Sequence, residues 1–274
     1  MSIAERRIAL TPLAQALLAL HGSDGVVAIY PHLNADGDAY GSSQGLALAL
    51  QGLGLKAICV YEEAVAEGFR FLPGQELVVN WHSLSHDERA ALTARQSMAI
   101  QIDVSVDHRL AERRQAYRAA PNRKILDHHV NSVANNQDNF IYTDAAASSE
   151  LVYILIEALE EQSGQTLMTS AIAVCLYTGI IMDTGNFCYA NVRSTTLAVA
   201  AELLKFEIDL PGLTDRLFNR ISWARYLVEG ALRRHTRRSA DGRITYLGVS
   251  RELMEAYHAS DDDLEAIPGQ LRDI

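Results

Sequence analysis

Cysteine is scarce in this chain. The three present, Cys59, Cys175 and Cys188, lie in apolar contexts without framework spacing. That excludes a disulfide-stapled scaffold and points to reduced thiols in a cytoplasmic protein. Long apolar runs are missing too. The longest, Ala171 to Met182, falls well short of the roughly 20 residues that cross a bilayer, so no membrane partner is expected. The opening MSIAERRIALTPLAQALLAL lacks the apolar core and cleavage site of a signal peptide and reads as a polar segment followed by an amphipathic helix. Basic charge is in deficit, with 24 Lys and Arg against 34 Asp and Glu and a net charge of −10. Long duplex nucleic acid is held mainly by phosphate neutralisation, so that partner is excluded. A short phosphorylated ligand is not, because bound cations reverse the local sign. There is no Gly-Lys-Ser/Thr phosphate loop, no Ser/His or Cys/His pairing that argues for a side-chain nucleophile, and no internal repeat.

What is present is an alternation of short β-branched runs with helical ones. GVVAIY (25–30), KAICVY (56–61), ELVVN, MAIQID (98–103) and residues 123–127 read as buried strands. Residues 41–53, 148–161 and 169–182 read as helices. The pattern predicts an α/β fold, a mainly parallel sheet with helices on both faces, over residues 1–191. Helical spacing over 195–206, 213–219 and 223–234 then predicts a helical linker, 192–238. DGRITYLGVS (241–250) opens a small second α/β domain over 239–274. A lone strand with two helices buries little core, so this second domain reads as incomplete, a condition that favours association, for example as a homodimer.

Carboxylates and imidazoles sit at the ends of these apolar runs. His32, Asp36 and Asp38 lie in PHLNADGD, Asp103 ends MAIQID, Asp127, His128 and His129 end KILDHH, and Asp183 lies in GIIMDTGNF. Loops at one sheet edge are where α/β proteins build sites. Mixed Asp and His donors suit divalent cations, and a pair of such ions activates water towards phosphorus. Gly37 suits a sharp turn, and Gly41-Ser42-Ser43 reads as the start of a helix whose amides face the same loop, making Ser42 and Ser43 candidate phosphate contacts. The carboxylate of Asp183 at an apolar helix end would be costly without a cation. Arg193 is a candidate phosphate contact. The basic cluster Arg233, Arg234, His235, Arg237 and Arg238 reads as a solvated helix face. Ser148, Ser149 and Glu150 read as a helix start, and His21, His82, His86, His108 and His258 as structural or exposed.

The four segments, in this order, resemble the DHH phosphoesterase superfamily, named for its Asp-His-His triplet. The likeness is greatest to the oligoribonuclease and phosphoadenosine-phosphate phosphatase branch, which includes cyclic-dinucleotide phosphodiesterases. The resemblance implies two divalent ions of the Mn²⁺ type, with Mg²⁺ or Co²⁺ as substitutes. His32, Asp36 and Asp103 would hold one. Asp38, Asp103, His128 and Asp183 would hold the other. His129 would lie nearest the scissile phosphate and Asp127 would orient its neighbouring histidine. The implied activity is hydrolysis of short RNA or DNA oligonucleotides, phosphoadenosine phosphate, or linear and cyclic dinucleotides, in the manner of a 3'-5' exoribonuclease. Inorganic pyrophosphatase or exopolyphosphatase activity is the competing enzymatic reading, and a non-catalytic nucleotide-binding scaffold the third. The branch carries a second domain, DHHA1, with a GGGH-type segment; none occurs before Ile274, so 239–274 reads as the start of such a domain.

Overall fold

The computed structural model describes residues 1–130, 136, 138–264, 266–272 and 274. It divides into two compact units, Met1–Leu210 and Pro211–Ile274. The first begins with α1 (Ile3–Leu18), started by a reciprocal capping box between Ser2 and Glu5. Then come β1 (Val26–Tyr30), α2 (Gly37–Gly52), β2 (Lys56–Tyr61), β3 (Val78–Asn80), α3 (His86–Ala94), β4 (Gln96–Ile102), α4 (Arg114–Ala119), β5 (Arg123–Asp127), β6 (Asn139–Ile141), α5 (Ser148–Ser163), α6 (Ser170–Asp183) and α7 (Ser194–Leu203).

The six strands form one sheet in the order β3-β2-β1-β4-β5-β6, and every pairing is parallel. Parallel strands need crossovers, and crossovers cover both faces. This is why β1 (VVAIY) is buried along its whole length. On one face Ala28, Tyr30, Val60 and Ala99 pack with Trp81, Leu110 and Tyr117, next to α3 and α4. On the other face α2 and α5 lie on the strands, with α6 packed on α2 and α1 on α5. Close approach of α2 and α6 requires glycine: a Cβ on Gly41 would sit 2.3 Å from the carbonyl oxygen of Cys175.

The strand order has one reversal. From β1 the chain runs outward through β2 and β3, then returns to place β4 on the other side of β1. Loops leaving β1 and β4 therefore diverge and open a crevice at the carboxyl edge of the sheet. His32 to Asp38 follow β1 and Asp103 follows β4.

Three expectations are corrected. Helix α2 starts at Gly37 rather than Gly41, because Asp36 caps it by accepting from the amides of Asp38 and Ala39; Gly37 is a helical residue and not a turn. Strand β6, in the polar context NQDNFIY, is too short to show a periodicity and was not expected. Residues 194–203 are no linker, since α7 packs on α6 and α5, and the division between units falls at Leu210 rather than Asn191.

The second unit contains α8 (Leu210–Thr214) at its edge, then α9 (Trp223–His235), β7 (Arg237–Arg238), β8 (Thr245–Tyr246), α10 (Arg251–Ala256) and α11 (Ile267–Arg272). Its core is small: Val228, Leu232 and Ile267 are buried, flanked by partly buried Leu253, Met254 and Leu271. The expected lone strand is a two-stranded antiparallel ladder of two residues each. Glu265 and Asp273, within the stretch expected to open a second domain, lie outside the described residues. Among the described residues no helix is long and apolar enough to cross a membrane.

Candidate metal centre

The crevice collects the sequence-predicted donors into two overlapping groups. Ligand atoms of His32, Asp36 and Asp103 lie within 4.8 Å of one another, and so do those of Asp38, His128 and Asp183. A third combination, Asp103 with His128 and His129, links them. Asp103 stands between the groups and divides its oxygens. Its Oδ2 is 3.4 Å from His32 Nε2, and its Oδ1 is 3.3 Å from His128 Nε2. Asp103 takes a left-handed backbone (φ +58°), a conformation that Asp tolerates better than most residues. There its amide still donates to Leu126 while the chain turns out of the sheet.

Each donor is held by groups that leave one atom facing the centre. The Nδ1 of His32 meets the carbonyl of Leu33 at 2.7 Å. A carbonyl only accepts, so Nδ1 carries a proton and Nε2 is the atom turned towards Asp36 and Asp103. Asp36 caps α2 with Oδ1 and keeps Oδ2 at 3.6 Å from His32. Asp38 is fully buried and accepts from the amides of Ser148 and Ser149, so it caps α5 from a distant part of the chain. Its Oδ2 also lies 3.8 Å from His128 Nε2. Space for this is made at Gly179, where a Cβ would lie 2.0 Å from Ser149 Oγ and 2.6 Å from Asp38 Oδ1. Asp183 ends α6, where the helix dipole repels an anion, and it faces His128 at 3.1 Å.

Protonation follows this crowding. Burial opposes charge on His32, yet the hydrogen-bonding carboxylates of Asp103 and Asp36 push it up to about 10. Burial is likewise outweighed at His128, which Asp103 and Asp183 push up to about 12. Burial raises Asp38 well above the usual carboxylate range, helped by Asp103 and Asp183. Asp183 is raised by burial against the pull of His128. Burial would raise Asp103, but the imidazoles of His128 and His32 beside it hold it low. Three mutually close carboxylates thus keep protons on the imidazoles.

The donor set fits divalent ions. Nε2 of His128 is buried, lies between 3.1 and 3.8 Å from three carboxylates, and is aligned for a hydrogen bond with none of them. Converging donors that are near but not aligned on each other suit a shared ion at their focus.

His129 differs from His128. Its side chain is 43% exposed and its Nδ1 lies 2.7 Å from Asp127 Oδ1. The Asp127 side chain is buried, accepts also from the His128 and His129 amides, and is held below the usual range by His129 and Ser105 against the cost of burial. This pair fixes the ring through Nδ1.

Two expected contacts are placed elsewhere. Ser42 and Ser43 are fully buried in the second turn of α2, where their hydroxyls donate to the carbonyls of Asp38 and Ala39. Ser43 also meets the Tyr61 hydroxyl at 2.7 Å. Neither offers a surface to a phosphate, because α2 starts four residues earlier than expected. Residues 41–45 spell Gly-x-Ser-x-Gly, against the expectation that no such motif is present; inside a buried helix it is no nucleophile turn. Arg193 is exposed, with its guanidinium donating to the carbonyls of Ala190 and Val192.

The structure also brings in residues the sequence reading missed. Ser148 Oγ donates to Asp103 Oδ1 at 3.1 Å. Asn191 Nδ2 donates to the carbonyls of both Asp183 and Ala146, tying the end of α6 to the approach to α5. Behind them the buried Glu150 accepts from Ala146, Thr196 and Arg6. The small-residue run DAAASSE was the available signal for Ser148; for Asn191 there was none.

Comparison with known proteins places this centre in context. The family described as the DHH family, N-terminal domain, matches residues 26–180. A bifunctional oligoribonuclease and PAP phosphatase, NrnA, of Thermus thermophilus is 31% identical over 201 residues, which are 72% of this chain and 55% of that protein. The Bacillus subtilis protein of the same name is 29% identical over 195 residues, 71% of this chain and 56% of its own. The chain spans about half the length of the curated relatives it matches. Among solved structures, an exopolyphosphatase-related protein from Bacteroides fragilis superposes with a TM-score of 0.87 at 22% identity, covering 97% of this chain and 76% of the other. Exonuclease RecJ bound to manganese superposes with a TM-score of 0.50 at 17% identity, covering 81% and 51%. These two likenesses are of fold.

Proposed function

Since this chain belongs to the DHH family, we propose that it is a metal-dependent phosphoesterase that hydrolyses short oligonucleotides or small nucleotides such as phosphoadenosine phosphate or dinucleotides. The observation that carries this reading is the split carboxylate of Asp103, one oxygen towards His32 and the other towards His128. A carboxylate so placed would be available to two ions at once.

In this reading His32, Asp36 and Asp103 hold one divalent ion, and Asp38, Asp103, His128 and Asp183 the other. Mn²⁺ is the metal, with Mg²⁺ or Co²⁺ able to replace it, because carboxylate and imidazole together suit ions of this class. When bound, the ions supply Lewis acidity and lower the pKa of water. The chain's own groups do the rest. Helix α5, capped by Asp38, and Ser148, bonded to Asp103, hold the carboxylates still. His129, fixed through Nδ1 by Asp127, turns Nε2 towards the phosphoryl oxygen or leaving group and donates a proton there.

The test is release of mononucleotide or phosphate from a di- to pentaribonucleotide, phosphoadenosine phosphate, a cyclic dinucleotide and pyrophosphate, with Mn²⁺ and with EDTA. Metal-dependent turnover of a nucleotide ester is the expected result. Turnover of pyrophosphate alone would replace this reading with the pyrophosphatase one, and two bound metals without any turnover would favour the scaffold.

A further inference from the structure

Helix α9 buries Val228 and Leu232 and turns its opposite face to solvent. That outer face carries Trp223, Tyr226, Gly230, Arg233 and Arg234, at spacings that place them in one stripe. Trp223 is 72% and Tyr226 57% exposed, and their rings are stacked, with centroids 5.3 Å apart and an interplanar angle of 16°. Gly230 stands in open space and leaves a flat gap between the aromatic end and the arginine end. Isolated exposed apolar side chains are ordinary, but a preformed aromatic stack in line with arginines is not.

Charge supports a polyanionic partner. The chain is acidic overall, yet residues 220–243 hold seven arginines against two acids, Glu229 and Asp241. Arg220, Arg225 and Arg243 are paired with Asp215, Glu229 and Asp241. Arg233 reaches Glu229 only at 3.8 Å. Among the described residues Arg234 and Arg237 make no ion pair.

We infer that this face of α9 binds a single-stranded oligonucleotide, one base stacking on the open face of Trp223 and phosphates meeting Arg233 and Arg234. Every base has a π-face, so a Trp platform beside guanidinium groups grips a strand irrespective of sequence. From Trp223 to Arg234 the helix rises about 16 Å, enough for a few nucleotides. A duplex keeps its bases stacked inside and cannot use the platform. The inference rests on the nucleotide reading of the first unit for the choice of ligand, but it is tested apart from catalysis.

The experiment uses the full chain in EDTA, a 5'-fluorescein hexauridylate read by anisotropy, and intrinsic tryptophan emission. The chain has two tryptophans; Trp81 is buried, so exposed emission reports Trp223. Unlabelled hexauridylate should quench that emission while inorganic phosphate leaves it unchanged. Trp223→Ala should weaken binding of the labelled strand about tenfold, and Arg233→Ala with Arg234→Ala should weaken it and flatten its salt dependence. Unchanged affinity in Trp223→Ala, or binding without quenching, overturns the inference. So does a Trp223→Ala protein whose sedimentation mass falls while its RNA affinity holds, which would make the face a contact between copies of the chain. Binding retained without Mn²⁺-dependent hydrolysis fails the phosphoesterase reading alone; hydrolysis retained with unaltered binding in Trp223→Ala fails this one alone.

Discussion

The two units of this chain use charge in opposite ways. Residues 1–210 hold 14 basic and 24 acidic residues and thus the whole net charge of −10, whereas residues 211–274 hold ten of each. In the first unit the acids that matter are buried and crowded: Asp38, Asp103 and Asp127 are at most 1% exposed, with His32 and His128 pressed among them. In the second the arginines are solvated and the aromatics are open. Burial converts charge into a demand for a counterion, since an unpaired buried carboxylate is costly. Exposure leaves charge cheap, screened, and available to a passing polyanion. The proposed cation site and the proposed anion surface thus differ in one respect, the depth at which charge is placed.

The strongest way to break this comparison is to remove the shared carboxylate. Asp103→Ala is expected to lower kcat by at least about 10³-fold, the upper range for losing one preorganised electrostatic group. Circular dichroism should keep its wild-type shape and metal analysis should fall below two ions per chain. Turnover within a few-fold of wild type would show that the two clusters do not act together.

His129→Ala should lower kcat by roughly 10²-fold or more, in the range for a lost proton donor, while metal content is retained. Loss of metal in this variant would exchange the roles of His128 and His129. Next in size are the supports that sequence did not reveal. Ser148→Ala and Asn191→Ala should each cost about 10- to 100-fold in metal affinity or activity, as removal of groups orienting ligands generally does. Titration calorimetry with Mn²⁺ reads this directly, and wild-type affinity would make both residues simple helix-end caps.

The smallest effect is on stability. Both imidazoles bind protons more tightly folded than unfolded, with His32 pushed up to about 10 and His128 up to about 12 from an ordinary 6.5. Their contribution is complete below about pH 6.5 and fades as pH climbs through those values. The raised Asp38 and Asp183 act with the same sign, favouring the fold while protonated. Metal-free protein should therefore lose Tm steadily from pH 6.5 to 10, and Mn²⁺ should reverse the slope by displacing those protons. A flat Tm in EDTA would mean that the crevice rearranges when empty. The second unit, with its solvated charges, should contribute little to this dependence.

Much of the site was legible because each donor ends an apolar run, and in a parallel sheet the ends of runs meet at one edge. His32, Asp103 and His128 could be placed from that rule alone. Asp183 was legible as an anion in an apolar helix end. What stayed hidden was set by pairing across the fold. Ser42 and Ser43 read as a helix start because the sequence does not show which residue of the loop caps α2; one oxygen of Asp36 does, and it moves the start four residues back. Asn191 gave no sign, since its partners are backbone carbonyls at Asp183 and Ala146 that no sequence pattern marks. The boundary between units was misplaced because α7 has the same helical periodicity as the helices after it, and only its packing on α5 and α6 assigns it.

The cap that Asp38 places on α5 bears on how the chain reaches its native state. Asp38 caps a helix 110 residues further along. Loop closure over such a span comes late, after local elements have formed. The β1–β4 crevice and the start of α5 are therefore expected to be completed in the same late step. An ion that binds only the finished crevice holds that step closed, so metal supply should slow global unfolding far more than it speeds folding.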